Sequence, residues 1–243
     1  MKINFIILAL LGIGLPCTAW SQLNGITFIA GGEAAFHRLV SPKDASGLEF
    51  EFGFGRTKAE VEQSFFIGAN ADWIIKGRFG VQTQIDYGRV IYSVSFRDLT
   101  ETNGFFGPQT RGLFYAPERV DVSVLPSYRI DLNRLGITPR LGVTYSIPVN
   151  ETGYVDKIAD RPGQERGVAI QNALNRSFGG TAVKLNAGVD ISYGRFLLHL
   201  NFRHQISSAS YGPVEVENVL TPILFDNRLT AFQFGLGYRV LCF

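Results

Sequence analysis

TAFQFGLGYRVLC, from Thr230 to Cys242, sets Phe232, Phe234, Leu236, Tyr238 and Val240 against Gln233, Gly235, Gly237 and Arg239. Side chains that change character at every residue separate onto two faces only in an extended strand, where successive Cβ atoms point to opposite sides. One face is aliphatic and aromatic, the other small, polar or charged. A strand with lipid outside and a polar interior has this composition.

The pattern recurs seven times upstream. In a first strand Ile26, Phe28, Ala30, Ala34 and Phe36 oppose Thr27, Gly31 and Glu33. A second, from Ser64 to Ile75, turns Phe65, Ile67, Ala69, Ala71, Trp73 and Ile75 outward and Gly68, Asn70 and Asp72 inward. After a turn at Lys76 to Arg78, Phe79, Val81, Thr83, Ile85 and Tyr87 oppose Gly80, Gln82, Gln84 and Asp86. This third strand reads on through Phe96 after a register slip of the kind a bulge makes. Val120, Val122, Val124 and Tyr128 mark a fourth strand, and Ile137, Leu141, Val143, Tyr145 and Ile147 a fifth. Val183, Leu185, Ala187, Val189, Ile191 and Tyr193 mark a sixth, and Phe196, Leu198, Leu200 and Phe202 a seventh, before the C-terminal eighth.

Short turns near residues 76, 131 and 194 alternate with long links near 37–63, 97–118, 149–177 and 207–228. Outer-membrane barrels have this asymmetry, with short periplasmic turns and long external loops. A soluble sandwich or lipocalin-like barrel would instead turn its apolar face into a core. The expected fold is therefore all-β, an eight-stranded antiparallel transmembrane β-barrel over residues 22–243 with both termini in the periplasm. Leu48, Phe50, Phe52 and Phe54 also alternate. They read as one arm of a hairpin rising above the membrane with Val61 to Phe66, and ten strands is the fallback. Between Gly167 and Asn175, the spacing of Val168, Ile170, Ala173 and Leu174 suits a short amphipathic helix.

Residues 1–21 read as a cleaved secretory signal: Lys2, an apolar run from Phe5 to Leu15, then Ala19, Trp20 and Ser21 before Gln22. That run is too short to span a bilayer as a helix. Cys17 follows Pro16, a poor fit to a lipobox, so a lipoprotein is disfavoured. With the signal removed Cys242 stands alone and no internal disulfide is expected. A formal net charge of +2 argues against nucleic acid as a partner.

Positions expected to face inward carry both signs: Glu33, Asp72, Asp86 and Asp190 with Arg140, Lys184, Arg203 and Arg239. The interior of an eight-stranded barrel is just wide enough for side chains to fill it. Unpaired charge there is costly, so these residues are expected to pair into a plug that fixes register and shape. The histidines are His37, His199 and His204. His204 and Ser207 lie three apart and so on opposite strand faces, which speaks against a catalytic pair. His199 is expected as a hydrogen-bonding residue of the lumen. No His or Cys cluster has metal-ligand spacing, and neither a catalytic residue nor a cofactor is expected. Asp131, Asp156 and Asp160 read as ordinary loop charges. Phe105, Phe106, Phe114 and Tyr115 are candidates for contact with a partner, with packing over the barrel mouth as the equal alternative.

FFIGANADWIIKGRFGVQTQIDYGRVIYS, from Phe65 to Ser93, resembles the small outer-membrane β-barrel proteins of Bacteroidota, of the porin family or PorT-like type, as do GITFIAGGEAAF and FQFGLGYRV. The resemblance covers nearly the whole mature chain, but its motifs are Gly-aromatic alternation and a turn. It implies an eight-stranded barrel in the outer membrane of a Gram-negative bacterium and no substrate. One departure concerns the C-terminus. Members often close with Tyr-x-Phe, whereas here Tyr238, Arg239 and Val240 precede Leu241, Cys242 and Phe243, leaving Phe243 out of phase with the outward set. Either the last residues bend, or the barrel-assembly machinery reads Tyr238.

These readings favour a non-enzymatic scaffold or interaction protein, an accessory subunit of an envelope secretion or transport assembly. Its expected partners are outer-membrane lipid, the barrel-assembly machinery during biogenesis and another envelope protein. A narrow pore for small solutes ranks second and a lipid-modifying enzyme third.

Overall fold

The computed structural model describes residues 22–40, 48–52, 62–89, 92–98, 110–115, 118–150, 153–155, 181–207, 214–216, 219–221 and 226–242. The expected signal segment, the helix between Gly167 and Asn175, Asp156, Asp160, Phe105 and Phe106 lie outside them.

In chain order the strands are β1 (Gln22–Val40), β2 (Leu48–Phe52), β3 (Glu62–Lys76), β4 (Phe79–Arg89), β5 (Tyr92–Asp98), β6 (Thr110–Tyr115), β7 (Glu118–Tyr128) and β8 (Ile130–Leu132). They continue with β9 (Leu135–Asn150), β10 (Gly153–Val155), β11 (Ala182–Tyr193), β12 (Phe196–Gln205), β13 (Val214–Val216), β14 (Val219–Thr221) and β15 (Asp226–Cys242). The largest sheet runs β11-β12-β15-β1-β3-β4-β7-β9, and β9 pairs back onto β11, so it closes on itself. Every pairing is antiparallel. β8 extends β7 past Arg129 along the same neighbour, β9. The result is an eight-stranded barrel, as expected from the alternation. The N- and C-terminal strands form one of its seams.

Alternation fixes which side chains go where. Phe28, Ile67, Ile85, Leu141, Leu185, Phe234 and Leu236 are exposed on the outside, while Thr27, Asn70, Gln84, Ser123, Thr144 and Asn186 are fully buried inside. Leu236 and Leu141 leave 66% and 63% of their surface uncovered. An apolar exterior around a polar interior inverts the soluble arrangement and calls for hydrocarbon outside. Aromatic residues gather at both rims of the band. At the short-turn end Phe79 stacks edge-on with Tyr128 at 4.9 Å and Phe196 with Tyr238 at 5.6 Å. Towards the long-link end Phe202 and Phe36 meet Phe232 at 5.1 and 6.1 Å.

The turns are tight where the sequence is short. Gly77 and Gly194 adopt positive φ, which glycine reaches without a steric penalty, and Asn133 does so at 55°.

Three expectations are corrected. Leu48–Phe52 pairs with Tyr92–Asp98, not with Val61 to Phe66, because Glu62–Lys76 is already committed to the barrel between β1 and β4. The third barrel strand stops at Arg89, and Tyr92–Asp98 joins a separate four-stranded sheet, β10-β6-β5-β2, so no bulge carries it onward. Ten strands are not needed, since the extra alternating segments pair with one another.

Candidate functional site

The polar interior is the site the fold builds. Each inward residue sits two positions from the next on its strand, so neighbouring strands stack their polar side chains into layers across the lumen. Nearer the long-link end, Arg119 donates from Nη2 to both oxygens of Glu33 at 2.7 and 2.6 Å and from Nε to Asp121 at 3.0 Å. Arg203 reaches Asp121 at 2.7 Å with one nitrogen and Asp86 with the other. Lys184 donates to Ser146 at 3.1 Å and lies 3.5 Å from Asp121. Gln84 donates to Asp86 and Gln233 to Glu33, filling remaining acceptor positions.

A second layer lies towards the short turns. Arg140 pairs with Asp190, whose other oxygen is 3.0 Å from His199 Nδ1. Gln82 donates to Asp190 and accepts from Arg140, each at 3.2 Å. Below it Arg239 meets Asp72 at 3.2 Å, both side chains only about one-seventh exposed.

Five cations, Arg119, Arg140, Lys184, Arg203 and Arg239, thus face five carboxylates, Glu33, Asp72, Asp86, Asp121 and Asp190. Among the described residues, formal charge cancels within the lumen. Ile29, Phe66 and Leu197 add an apolar cluster there, with the Phe66 ring 5.9 Å from His199. The charged side chains described here meet across the lumen, as the narrow interior of an eight-stranded barrel allows.

The structure places all eight lumen charges named from sequence inside the barrel. Arg119, Asp121 and Phe66 were missed, although the outward Val120, Val122 and Val124 imply inward neighbours at 119 and 121. Phe66 breaks the polar rule of the inward face, so no periodic signal marked it. His199 takes the lumen position expected of it. His204 faces outward, with Nδ1 2.9 Å from Thr230 Oγ1, while Ser207 Oγ accepts the Val183 amide at 2.8 Å, so the two do not meet. The described partners of His199 are Arg140, Asp190 and the Phe66 ring, and no hydroxyl or thiol is among them. His37 pairs through its backbone with Leu229. Asp131 makes an exposed pair with Arg129 at 2.8 Å. Phe114 and Tyr115 lie on β6, in register with Ser93 and Tyr92 on one side and Tyr154 and Gly153 on the other. Among the described residues no group of three or more His, Cys, Asp or Glu is arranged to hold a metal.

No protein-family model matches the chain, and no curated protein matches it. Solved structures similar to it include Ail, the attachment invasion locus protein of Yersinia pestis, at 11% identity and a TM-score of 0.40, covering 89% of this chain and 99% of that one. Neisserial surface protein A is similar at 10% identity and a TM-score of 0.38, over 90% and 99% of the two chains. Outer membrane protein W of Escherichia coli is similar at 13% identity and a TM-score of 0.35, over 90% and 98%. Likeness at this level does not extend to function.

Proposed function

We propose that this chain is a non-conducting barrel of a Gram-negative outer membrane that displays its long links to another envelope protein, as a scaffold or accessory subunit without catalytic activity. The observation that carries this reading is the buried charge network, in which five cations and five carboxylates pair in layers across the lumen. Such a barrel offers its exterior to lipid and its links to partners. Described strands from three of the four long links pair into one sheet, β10-β6-β5-β2, and that sheet is a surface a partner could meet. The apolar band with two aromatic rims supports the membrane placement.

The test is reconstitution into a planar bilayer beside affinity purification from gently solubilised membranes. A silent bilayer and a stoichiometric protein companion are expected. Replacing residues 92–115 by a short Gly-Ser linker should release that companion while the barrel still migrates as a heat-modifiable band. Stepwise conductance in the bilayer would overturn the reading.

A narrow pore is the second reading, and one feature favours it. At the short-turn end Asp72, Gln82, Ser127 and Arg239 line a small cavity of about 50 Å³. Above it Asn70 is fully buried with neither amide atom bonded. Water entering there would reach the Arg140–Asp190 pair. Conductance appearing only in Arg140→Ala would identify that pair as the constriction.

A further inference from the structure

The exterior holds a feature that the lumen reading leaves unused. Near the long-link end, Gly32, Ala34 and Ala187 are the small residues of the outward face, and Phe202, Phe232 and Phe234 stand beside them. With Val189 and Leu200 they border a shallow, largely open hollow of about 790 Å³, mostly apolar, whose lining also takes in Glu33, Asn201 and Gln233. Cross-strand register explains it: Gly32 lies opposite Phe234, Ala34 opposite Phe232, and Phe232 opposite Phe202. Large rings on two strands therefore overhang minimal side chains on the next.

The fold does not require the hollow. A Cβ added to Gly31 would strike the backbone of Phe234 and Gly235, and those added to the other barrel-strand glycines described also meet tight contacts. A Cβ on Gly32 meets nothing nearer than the Ser64 carbonyl oxygen at 3.8 Å, an ordinary contact. A larger residue would fit there, in a strand that disfavours glycine.

One pleat repeat further towards the long links, about 7 Å along the strands, the outward face turns polar. His204 and Thr230 stand opposite each other there, hydrogen-bonded at 2.9 Å, with Phe36 beside Thr230. An apolar trough with a hydrogen-bonding couple at its head matches the two ends of an amphiphile.

We propose that this hollow binds one acyl chain of a membrane lipid from the leaflet next to the long links, with the polar end of the lipid at His204 and Thr230. The site rests on the membrane-barrel reading, since only a bilayer presents such a molecule to this face. Its occupant is set by chemistry: the walls are mostly hydrocarbon and aromatic, and the polar couple lies at the headgroup side.

Native mass spectrometry of the protein, extracted from its own membranes in mild detergent, tests this directly. The wild type should retain one lipid-sized adduct through detergent exchange. Gly32→Leu and Ala34→Leu, which fill the trough, should each lower that occupancy at least tenfold, and His204→Val several-fold, with heat-modifiable migration unchanged. Ala71→Leu, outward but far from the hollow, should retain the lipid. Equal retention by wild type and both filling variants would overturn the proposal, as would a wild type that carries no lipid. A lipid-free dimer that the same substitutions separate would also overturn it, making the hollow a contact between copies. Should Gly32→Leu fail to fold, Ala34→Leu decides alone, since that position already carries a Cβ. Absence of the wild type from the membrane fraction would overturn the membrane reading itself, a result distinct from an embedded barrel without lipid.

Discussion

Arg203 holds two carboxylates at once, Asp86 on β4 and Asp121 on β7, from a strand on the other side of the barrel. All three side chains are buried. Burying ions is costly, and the cost is recovered only while every partner is present. Arg203→Ala would take from Asp86 its described cationic partner and from Asp121 one of three, and is expected to lose about 3–5 kcal/mol, read as a lower urea midpoint in lipid vesicles. Arg239→Ala removes a pair at the partly wet short-turn end. With a small cavity beside it, that pair is better hydrated than the Arg203 pairs, and a smaller loss than for Arg203→Ala is expected in the same assay. A ranking in which Arg239→Ala costs more than Arg203→Ala would contradict the layered plug.

At the scale of a strand, the seam between β1 and β15 shows how register limits sequence. Gly31 and Gly32 are adjacent, yet their constraints differ because one faces the lumen and the other the exterior. A side chain on Gly31 collides with the backbone of β15, which cannot move without opening the seam. Gly31→Val is therefore expected to destabilise the barrel by about 2–3 kcal/mol and to reduce the heat-modifiable form on gels, while Gly32→Val leaves it intact. The same seam carries a register shift, with Ile26 opposite Leu241 and Thr27 opposite Arg239, so Val240 is passed over. Val240 and Leu241 are both exposed as a result. The last residues thus change phase through a bulge, the local device by which a strand re-aims its side chains. Phe243 itself lies outside the described residues.

Over the whole molecule, closure and charge balance work together. Eight strands leave a lumen that side chains fill, and a filled lumen tolerates charge only when it cancels. Interior pairs lie beyond the reach of mobile ions, whereas exposed pairs are screened within about 10 Å at 0.1 M salt. The unfolding midpoint is therefore expected to move little between low and high salt in vesicles of neutral lipid. A large drop at high salt would place the stabilising pairs at the surface. The bilayer itself should stay silent, and paired recordings of wild type and Arg140→Ala would show whether the lower layer is what keeps it so.

Much of this was legible one strand at a time. Alternation depends only on the order of residues along a strand, so it gave the inward and outward sets, the strand number and the eight lumen charges named from sequence. It could not say which strands meet in space. Leu48–Phe52 alternates as well as any barrel strand, but the pairing of Glu62–Lys76 with β1 and β4 leaves it to β5. Arg119 and Asp121 had the right phase, yet their roles come from Glu33 and Arg203, which lie 86 and 82 residues away along the chain. Phe66 inside the lumen and the hollow over Gly32 arise where side chains from several strands meet. The sequence by itself determined a two-faced strand repeated eight times; only the tertiary structure decided partners and cavities, because those are set by closure, which brings together residues that no local period relates.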